Sequence, residues 1–384
     1  MLNWYDSNDK VAAQYITDDG VDALASKLKE LKKVVIKGNA CSITDKSLIS
    51  LSTNCVKLRG IKLCLYDGGQ HYVTEDGIDF VVRHSPNLTS LSLKSRPLQP
   101  STFSFTIGNP LTHAKNLHSL TMFQELVTDK RICSVAKARP PLKKLKLVGF
   151  MGQYDEIHGA LKLLLQACQL TLEELTLRSF CHGDTTITEL VQYLPNLTSI
   201  ELDEHFGLTS VTFYTLTKYC PLLEKLVMAR PKQVMDTSSP EYFHRNYRIN
   251  CLHLTNVGIG EVLRRCPAIT KLNINDLKVS GLFGRYSDHP VLNLKTLKAR
   301  GTEIDDKGMA MIGNRCRNLQ YLDIECCNEV TDRGVMEVVR NCERLSRGPH
   351  DDVWLRSGPK HHVARSQEVG HAGHAASGIA RNNE

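Results

Sequence analysis

One pattern limits what this chain can fold into. An apolar-x-x-apolar-x-apolar hexamer begins at Leu31, Leu58, Leu88, Leu117, Leu142, Leu172, Leu197, Leu223, Ile249, Ile269, Leu294 and Leu319. Examples are Leu88-Thr89-Ser90-Leu91-Ser92-Leu93 and Leu319-Gln320-Tyr321-Leu322-Asp323-Ile324. Successive starts lie 20 to 30 residues apart and average about 26. Chance yields one such hexamer, not twelve in register. A unit this short cannot bury its own apolar side chains, so it must stack on copies of itself. The 384 residues therefore read as one array. The two or three globular domains that such a length otherwise suggests do not fit.

Two further signals recur between the hexamers. The first reads Ile43-Thr44-Asp45-Lys46, Val73-Thr74-Glu75-Asp76-Gly77, Val127-Thr128-Asp129-Lys130, Ile304-Asp305-Asp306-Lys307-Gly308 and Val330-Thr331-Asp332-Arg333-Gly334. Each is followed by a helical period. The hydroxyl or carboxylate accepts from the first free amides of the helix, and the acid suits its positive end. The second signal is a cysteine three residues before a hexamer, at Cys55, Cys220, Cys266 and Cys316. The unit is thus strand, turn, capped helix, cysteine, next strand.

Period and hexamer are those of a leucine-rich repeat. The Thr-Asp and Cys signals make the chain resemble the cysteine-containing class typical of F-box leucine-rich-repeat proteins, of the plant type. The resemblance spans residues 16–345. It implies an α/β solenoid, a horseshoe of about twelve repeats with a parallel sheet inside and helices outside. It also implies the substrate-binding part of an SCF-type ubiquitin ligase, acting in ubiquitin-dependent protein degradation. F-box relatives bind a Skp-type adaptor through the F-box. No F-box is visible, because Ile16-Thr17-Asp18-Asp19-Gly20 is already the second half of a repeat. Adaptor binding is expected only if an F-box lies outside this chain.

Residues 1–15 read as a degenerate end of the array, and 346–384 as a disordered, non-repeat tail. Neither end shows the polar cap that a solenoid needs, so a truncated product is one expectation and a native disordered tail the other. Irregular loops are expected over 94–116 and 229–248, where prolines interrupt the period.

Hydrophobic residues make up 41% and charged residues 23%, a folded composition. No apolar run approaches the roughly 18 to 20 residues that span a bilayer. The first residues lack a secretion pattern. The thirteen cysteines are therefore expected as reduced thiols in cytoplasm or nucleus. Their once-per-coil recurrence reads as packing, and no C-x-x-C spacing offers zinc ligands. The tail histidines (His350, His361, His362, His371, His374) lack an ordered metal spacing. Asn87-Leu88-Thr89 and Asn196-Leu197-Thr198 match a glycosylation sequon but open strands of the repeat. No phosphate loop or catalytic arrangement is present. The chain is expected not to be an enzyme, to need no cofactor or metal, and to bind neither nucleic acid nor membrane.

The candidate site is the concave face. The first, fourth and sixth hexamer positions point into the coil. The third and fifth positions and the residue after the sixth point the other way. Its bases are Lys33, Lys37, Lys62, Lys94, Lys144, Lys146, Arg178, Lys225, Lys271, Lys298 and Arg300, the expected partner-binding residues. Its acids are Glu174, Glu201, Asp203, Asp323 and Glu325. This face alone carries +6 of the formal +7. The charge is banded: basic to Lys146, acidic at Glu174 to Asp203, basic from Lys225 to Arg300, then acidic. The expected partner is a protein substrate with an acidic or phosphorylated surface. A merely solvated face is the alternative reading. Two other functions stay open: a stand-alone scaffold without a ubiquitin role, and a small-anion or hormone receptor using the two irregular loops.

Overall fold

The computed structural model describes residues 16–36, 41–67, 73–97, 110–123, 126–149, 154–178, 183–203, 208–229, 255–282 and 291–345. The expected boundaries at 1–15 and 346–384 lie outside them, as do most of the two irregular loops.

The array opens with β1 (Ile16–Thr17), α1 (Asp18–Lys27), β2 (Lys33–Ile36), β3 (Cys41–Ser42) and α2 (Asp45–Asn54). Next come β4 (Gly60–Asp67), α3 (Glu75–His84), β5 (Ser90–Pro97) and one 3-10 turn (Pro110–His113). The middle holds β6 (Ser119–Phe123), α4 (Asp129–Ala138), β7 (Lys144–Val148), α5 (Tyr154–Ala167), β8 (Glu174–Arg178) and α6 (Asp184–Val191). After these lie β9 (Ser199–Asp203), α7 (Ser210–Tyr219), β10 (Lys225–Val227) and α8 (Asn256–Arg265). The last coils are β11 (Lys271–Asn273), β12 (Thr296–Lys298), α9 (Asp306–Arg315), β13 (Tyr321–Asp323) and α10 (Asp332–Asn341).

Eleven of these strands form one parallel sheet in chain order, from β2 at one edge to β13 at the other. The short β1 and β3 pair separately. Alternation along each strand sends hexamer positions four and six inward. Leu91, Leu93, Leu145, Leu147, Leu175 and Leu177 are all buried. The first position is buried as well, at Leu58, Leu88, Leu117, Leu142, Leu172, Leu197 and Leu223. One continuous core results, each coil burying its leucines against the next.

The hexamer at Ile249 departs from the expected count. Strand β10 pairs directly with β11, Lys225 beside Lys271 and Leu226 beside Leu272. Parallel neighbours lie about 4.8 Å apart, so no strand fits between them. The hexamer itself, residues 249–254, lies outside the described residues. Helix α8 belongs to the coil opened by β10, and that coil is 46 residues long from Leu223 to Ile269. The sheet thus has eleven rungs among the described residues.

The Thr-Asp signal has two functions, and the sequence pattern exposes one of them. In eight helices the cap side chain accepts from an amide of its own first turn, as Thr74 does from Gly77. The residue after the cap reaches instead into the following coil. Asp18 accepts from the Thr44 amide (2.8 Å) and hydroxyl (2.7 Å), and also from Ser47. Asp45 holds Thr74, Asp184 holds Thr209 and Thr212, and Asp306 holds Thr331 and Gly334. Asn256 plays the same part toward Ser280, and Ser210 toward Thr255. Glycine two residues further on makes the approach possible. A Cβ on Gly77 would sit 2.0 Å from Asp45 Oδ1, and one on Gly334 2.5 Å from Asp306 Oδ1.

Between α3 and α4 the one helical element among the described residues is the 3-10 turn. There Glu75, in the position after its cap, pairs with Arg131 of α4, and both side chains are only 7% exposed. A second ladder runs along the strand starts. Side-chain amides of Asn87, Asn116, Asn196 and Asn293 donate to carbonyls of the preceding coil at 2.9 to 3.3 Å. The amides of the two sequon asparagines are therefore engaged in coil-to-coil bonds.

Replacing Asp184 by Ala strands the Thr209 and Thr212 donors. The expected cost is about 1–3 kcal/mol, read from urea unfolding. Burial pushes the Asp18 carboxyl up, but bonds from Ser47 and Thr44 outweigh it and hold it below the ordinary 3.8. The Thr331 hydroxyl, its amide and Gly334 hold Asp306 below that value too. Stability from these latches is therefore present above about pH 4 and falls as pH drops through the lowered values. An acid series of unfolding curves measures this. A flat profile from pH 6 to pH 2 contradicts it.

Candidate functional site

The strand register sets the exposed sheet face in rows. Hexamer position three runs Lys33, Gly60, Ser90, Ser119, Lys144, Glu174, Ser199, Lys225, Lys271, Thr296, Tyr321. Position five runs beside it and includes Lys62, Ser92, Thr121, Lys146, Glu201, Lys298 and Asp323. Ten of the eleven expected bases lie on the described face, and Lys37 lies outside the described residues.

Where acids share the face, neighbouring strands pair them with the bases. Lys144 meets Glu174 at 2.7 Å. Arg178 bridges Glu201 (2.8 Å) and Asp203 (2.6 Å). Lys225 approaches Glu201 to 3.9 Å, and Arg300 pairs with Glu325 at 2.8 Å. The bands read from the sequence thus largely cancel from β7 to β10, across strands about 4.8 Å apart. Burial raises both acids of the central group. At Glu201 the charges of Lys146, Arg178 and Lys225 prevail and hold its pKa down. At Asp203 burial and the nearby Glu201 charge prevail over Arg178 and hold it up.

The first four strands of the sheet differ. On β2, β4, β5 and β6 the outward residues include Lys33, Lys62, Lys94, Ser90, Ser92, Ser119, Thr121 and Phe123, with no carboxylate among those whose side chains are described. Lys33 and Lys62 have no ion pair among the described residues. The Lys94 ammonium lies 5.5 Å from the Phe123 ring centroid, a cation–π contact that leaves its charge uncancelled. Lys298 sits likewise over Tyr321 at 5.6 Å. The sequence reading missed both aromatic partners, although the shared hexamer numbering brings Phe123 beside Lys94. Lys271 stands exposed on β11.

The cysteines serve the interior. Cys55, Cys220, Cys266, Cys316 and Cys342 close their helices. The thiols of Cys55, Cys266 and Cys342 lean on carbonyls of the preceding coil, Cys342 Sγ lying 3.3 Å from the Cys316 carbonyl. Burial pushes the thiols of Cys168, Cys266 and Cys342 up to about 11 and those of Cys220 and Cys316 up to about 12. Such thiols are poor nucleophiles at neutral pH. Cys326 is exposed at a left-handed turn (φ 62°). Among the described residues no group of three His, Cys, Asp or Glu is placed to hold a metal, and no helix is long and apolar enough to cross a membrane.

A family model described as Leucine Rich repeat matches residues 315–339. The F-box protein MAX2 homolog A of Petunia hybrida is 23% identical over 295 residues, covering 73% of this chain and 37% of that protein. This chain thus spans well under half of that relative's length. Among solved structures, a chain of the Rad7 and Elc1 complex of yeast shares the fold. It matches with a TM-score of 0.56 at 16% identity, over 83% of this chain and 75% of that chain. The chain thus has the fold of a leucine-rich-repeat solenoid and is similar in sequence to an F-box protein.

Arg178→Ala leaves Glu201 and Asp203 facing each other, their side chains 15% and 12% exposed. The expected loss is about 1–3 kcal/mol by urea unfolding, less than for a fully buried pair, because Arg178 itself keeps 35% exposure. The deficit shrinks as pH falls and the carboxylates protonate. Thiol labelling of the native protein at pH 8, followed by peptide mapping, is expected to modify Cys326. Cys168, Cys220, Cys266, Cys316 and Cys342 are expected to react only after denaturation.

Proposed function

We propose that the chain is the substrate-binding part of an SCF-type ubiquitin ligase, working in ubiquitin-dependent protein degradation in the cytoplasm or nucleus. It has no catalytic chemistry of its own in this reading. A Skp-type adaptor would be bound by an F-box outside this chain. The likeness to a plant F-box protein supports the assignment. The buried, repeat-wide use of the cysteines supports a binding rather than a catalytic role.

The single observation that carries the partner chemistry is the field on β2, β4, β5 and β6 that holds no carboxylate among the described side chains. Lys33, Lys62 and Lys94 occupy hexamer positions three, five and seven on successive strands, a diagonal across the sheet. With about 4.8 Å between strands and about 3.3 Å per residue, the diagonal spans roughly 16 Å, or five residues of extended peptide. Hydroxyls of Ser90, Ser92 and Thr121 lie among the ammonium groups. An acidic or phosphorylated segment of a protein substrate fits this chemistry. The paired middle of the face has less charge to offer.

Affinity capture with mass spectrometry identifies the substrate. Reversal of the diagonal, Lys33→Glu with Lys62→Glu and Lys94→Glu, is expected to weaken its binding about tenfold or more, as three exposed ion pairs turn repulsive. Raised salt weakens the wild type in the same direction. Unchanged affinity in the triple variant removes the basic diagonal from the reading. A captured substrate whose cellular level does not rise when this chain is depleted removes the ubiquitin role and leaves a scaffold.

A further inference from the structure

The edge of the sheet where the strands begin carries a charge that the fold does not require. Hexamer position two forms a row along it, joined rung to rung by backbone bonds. The Arg59 amide donates to the Lys32 carbonyl, Thr89 to Arg59, His118 to Thr89 and Lys143 to His118, at 2.8 to 2.9 Å. The turns that leave the helices stack beside this row. There the Asn87 side-chain amide donates to the Val56 carbonyl, and that of Asn116 to Pro86. From β2 to β7 the row crosses four strand spacings, about 19 Å. The five turns at 27–33, 54–60, 83–90, 113–119 and 137–144 hold twelve lysines and arginines, all exposed, against one carboxylate, Glu30. Lys57, Arg83, Lys143 and Lys144 make ion pairs, each with its side chain more than half exposed. Lys29, Lys32, Arg59, Lys115, Lys137 and Arg139 have none among the described residues.

Helix C-termini favour cations, but that field fades within a turn, and only Lys27, Arg83 and Lys137 of the twelve lie in helices. The equivalent turns of the next three coils, 166–174, 192–199 and 218–225, hold Glu173, Glu174 and Glu224 against Lys218 and Lys225. The same fold element thus accepts either sign. The edge also has apolar tips. Among the described residues the three most exposed large apolar side chains, Leu170 (77%), Val56 (62%) and Val291 (60%), all sit in its turns. A single exposed apolar side chain is ordinary, and its recurrence along one edge is not.

Nine of the twelve bases are lysine. Arginine, planar and bidentate, suits discrete phosphates and nucleic acid, whereas lysine is a point charge that serves a diffuse field. No Phe, Tyr or Trp occurs in the five turns to stack on a base. Lysine is also depleted where proteins meet proteins. Lysines beside protruding aliphatic tips are the pattern of a surface that lies on a bilayer. We infer that this edge rests on an anionic lipid bilayer, its lysines over the headgroup phosphates and Val56 and Leu170 entering the interfacial layer. The expectation of no membrane partner rests on the lack of a spanning run, and lying on a surface needs none. The inference stands apart from the proposed substrate site, because the Lys62 and Lys94 side chains project from the sheet face and not from its edge.

Flotation of the full chain with lipid vesicles tests this. Binding is expected on phosphatidylcholine containing about 30 mol% phosphatidylserine and not on phosphatidylcholine alone, and it is expected to weaken between about 0.05 and about 0.5 M salt. Two quadruple variants each take the formal charge from +7 to −1 by four reversals. Lys32→Glu, Arg59→Glu, Lys115→Glu and Lys137→Glu together change the basic edge. Lys46→Glu, Lys130→Glu, Lys278→Glu and Lys307→Glu together change the opposite edge. Every one of these side chains is exposed, so wild-type thermal unfolding is expected of both variants. The first is expected to lose vesicle binding about a hundredfold and the second to keep it. Val56→Ser with Leu170→Ser is expected to weaken binding about tenfold. A chain that leaves the anionic vesicles unbound overturns the inference, whether or not it binds single-stranded RNA in their place. Equal loss in the two quadruple variants overturns it in favour of net charge alone, and full binding by the serine variant overturns the seating of Val56 and Leu170 in the bilayer.

Discussion

The array depends on the contact by which the residue after one helix cap holds the cap of the next helix, made among the described residues between α1 and α2, α2 and α3, α6 and α7, α7 and α8, and α9 and α10. Leucine burial supplies more free energy, about 1.5–3 kcal/mol for each fully buried side chain. That energy has no direction. Leu91 would be as well buried one rung out of place. The carboxylate of Asp45 accepts from one amide and one hydroxyl of Thr74, and it tolerates no such slip. The latch also satisfies amides that a helix start leaves without partners. Direction and satisfaction come from the same two oxygens, and the glycine at position 77 or 334 is the space they need.

The coil was legible in the sequence because its signals are local. Strand alternation has a period of two, the cap precedes its helix, and a cysteine ends it, all within one repeat. The latch was not legible, because Asp18 finds its donors 26 and 29 residues away, across intervals that vary from coil to coil. The same limit explains the extra repeat expected at Ile249. Six residues satisfy the apolar pattern there, yet membership of the sheet is decided by which strands hydrogen-bond, and β10 bonds to β11.

The candidate face shows a similar division. Strand register places ten of the eleven expected bases on the exposed sheet face, and the excess of bases is a property of composition. The pairing is a property of register. Arg178, Glu201 and Asp203 come from two adjacent strands and consume one another's charge. Lys33 and Lys62 have no such neighbours among the described residues. A count of charges cannot tell these cases apart, whereas register leaves charge uncancelled at Lys33, Lys62 and Lys94 and again at Lys271 and Lys298.

The long coil between β10 and β11 shows how the architecture separates length from shape. Its strands pair as closely as those of 25-residue coils, and α8 still stacks on α7 through Ser210 and Thr255. The connection has nearly doubled in length with no change in the rungs on either side. Doubling a flexible loop costs only about 0.6 kcal/mol in closure entropy. A solenoid of this kind thus gives evolution a place to add residues, or a whole inserted module, between two rungs without renegotiating the rest of the fold.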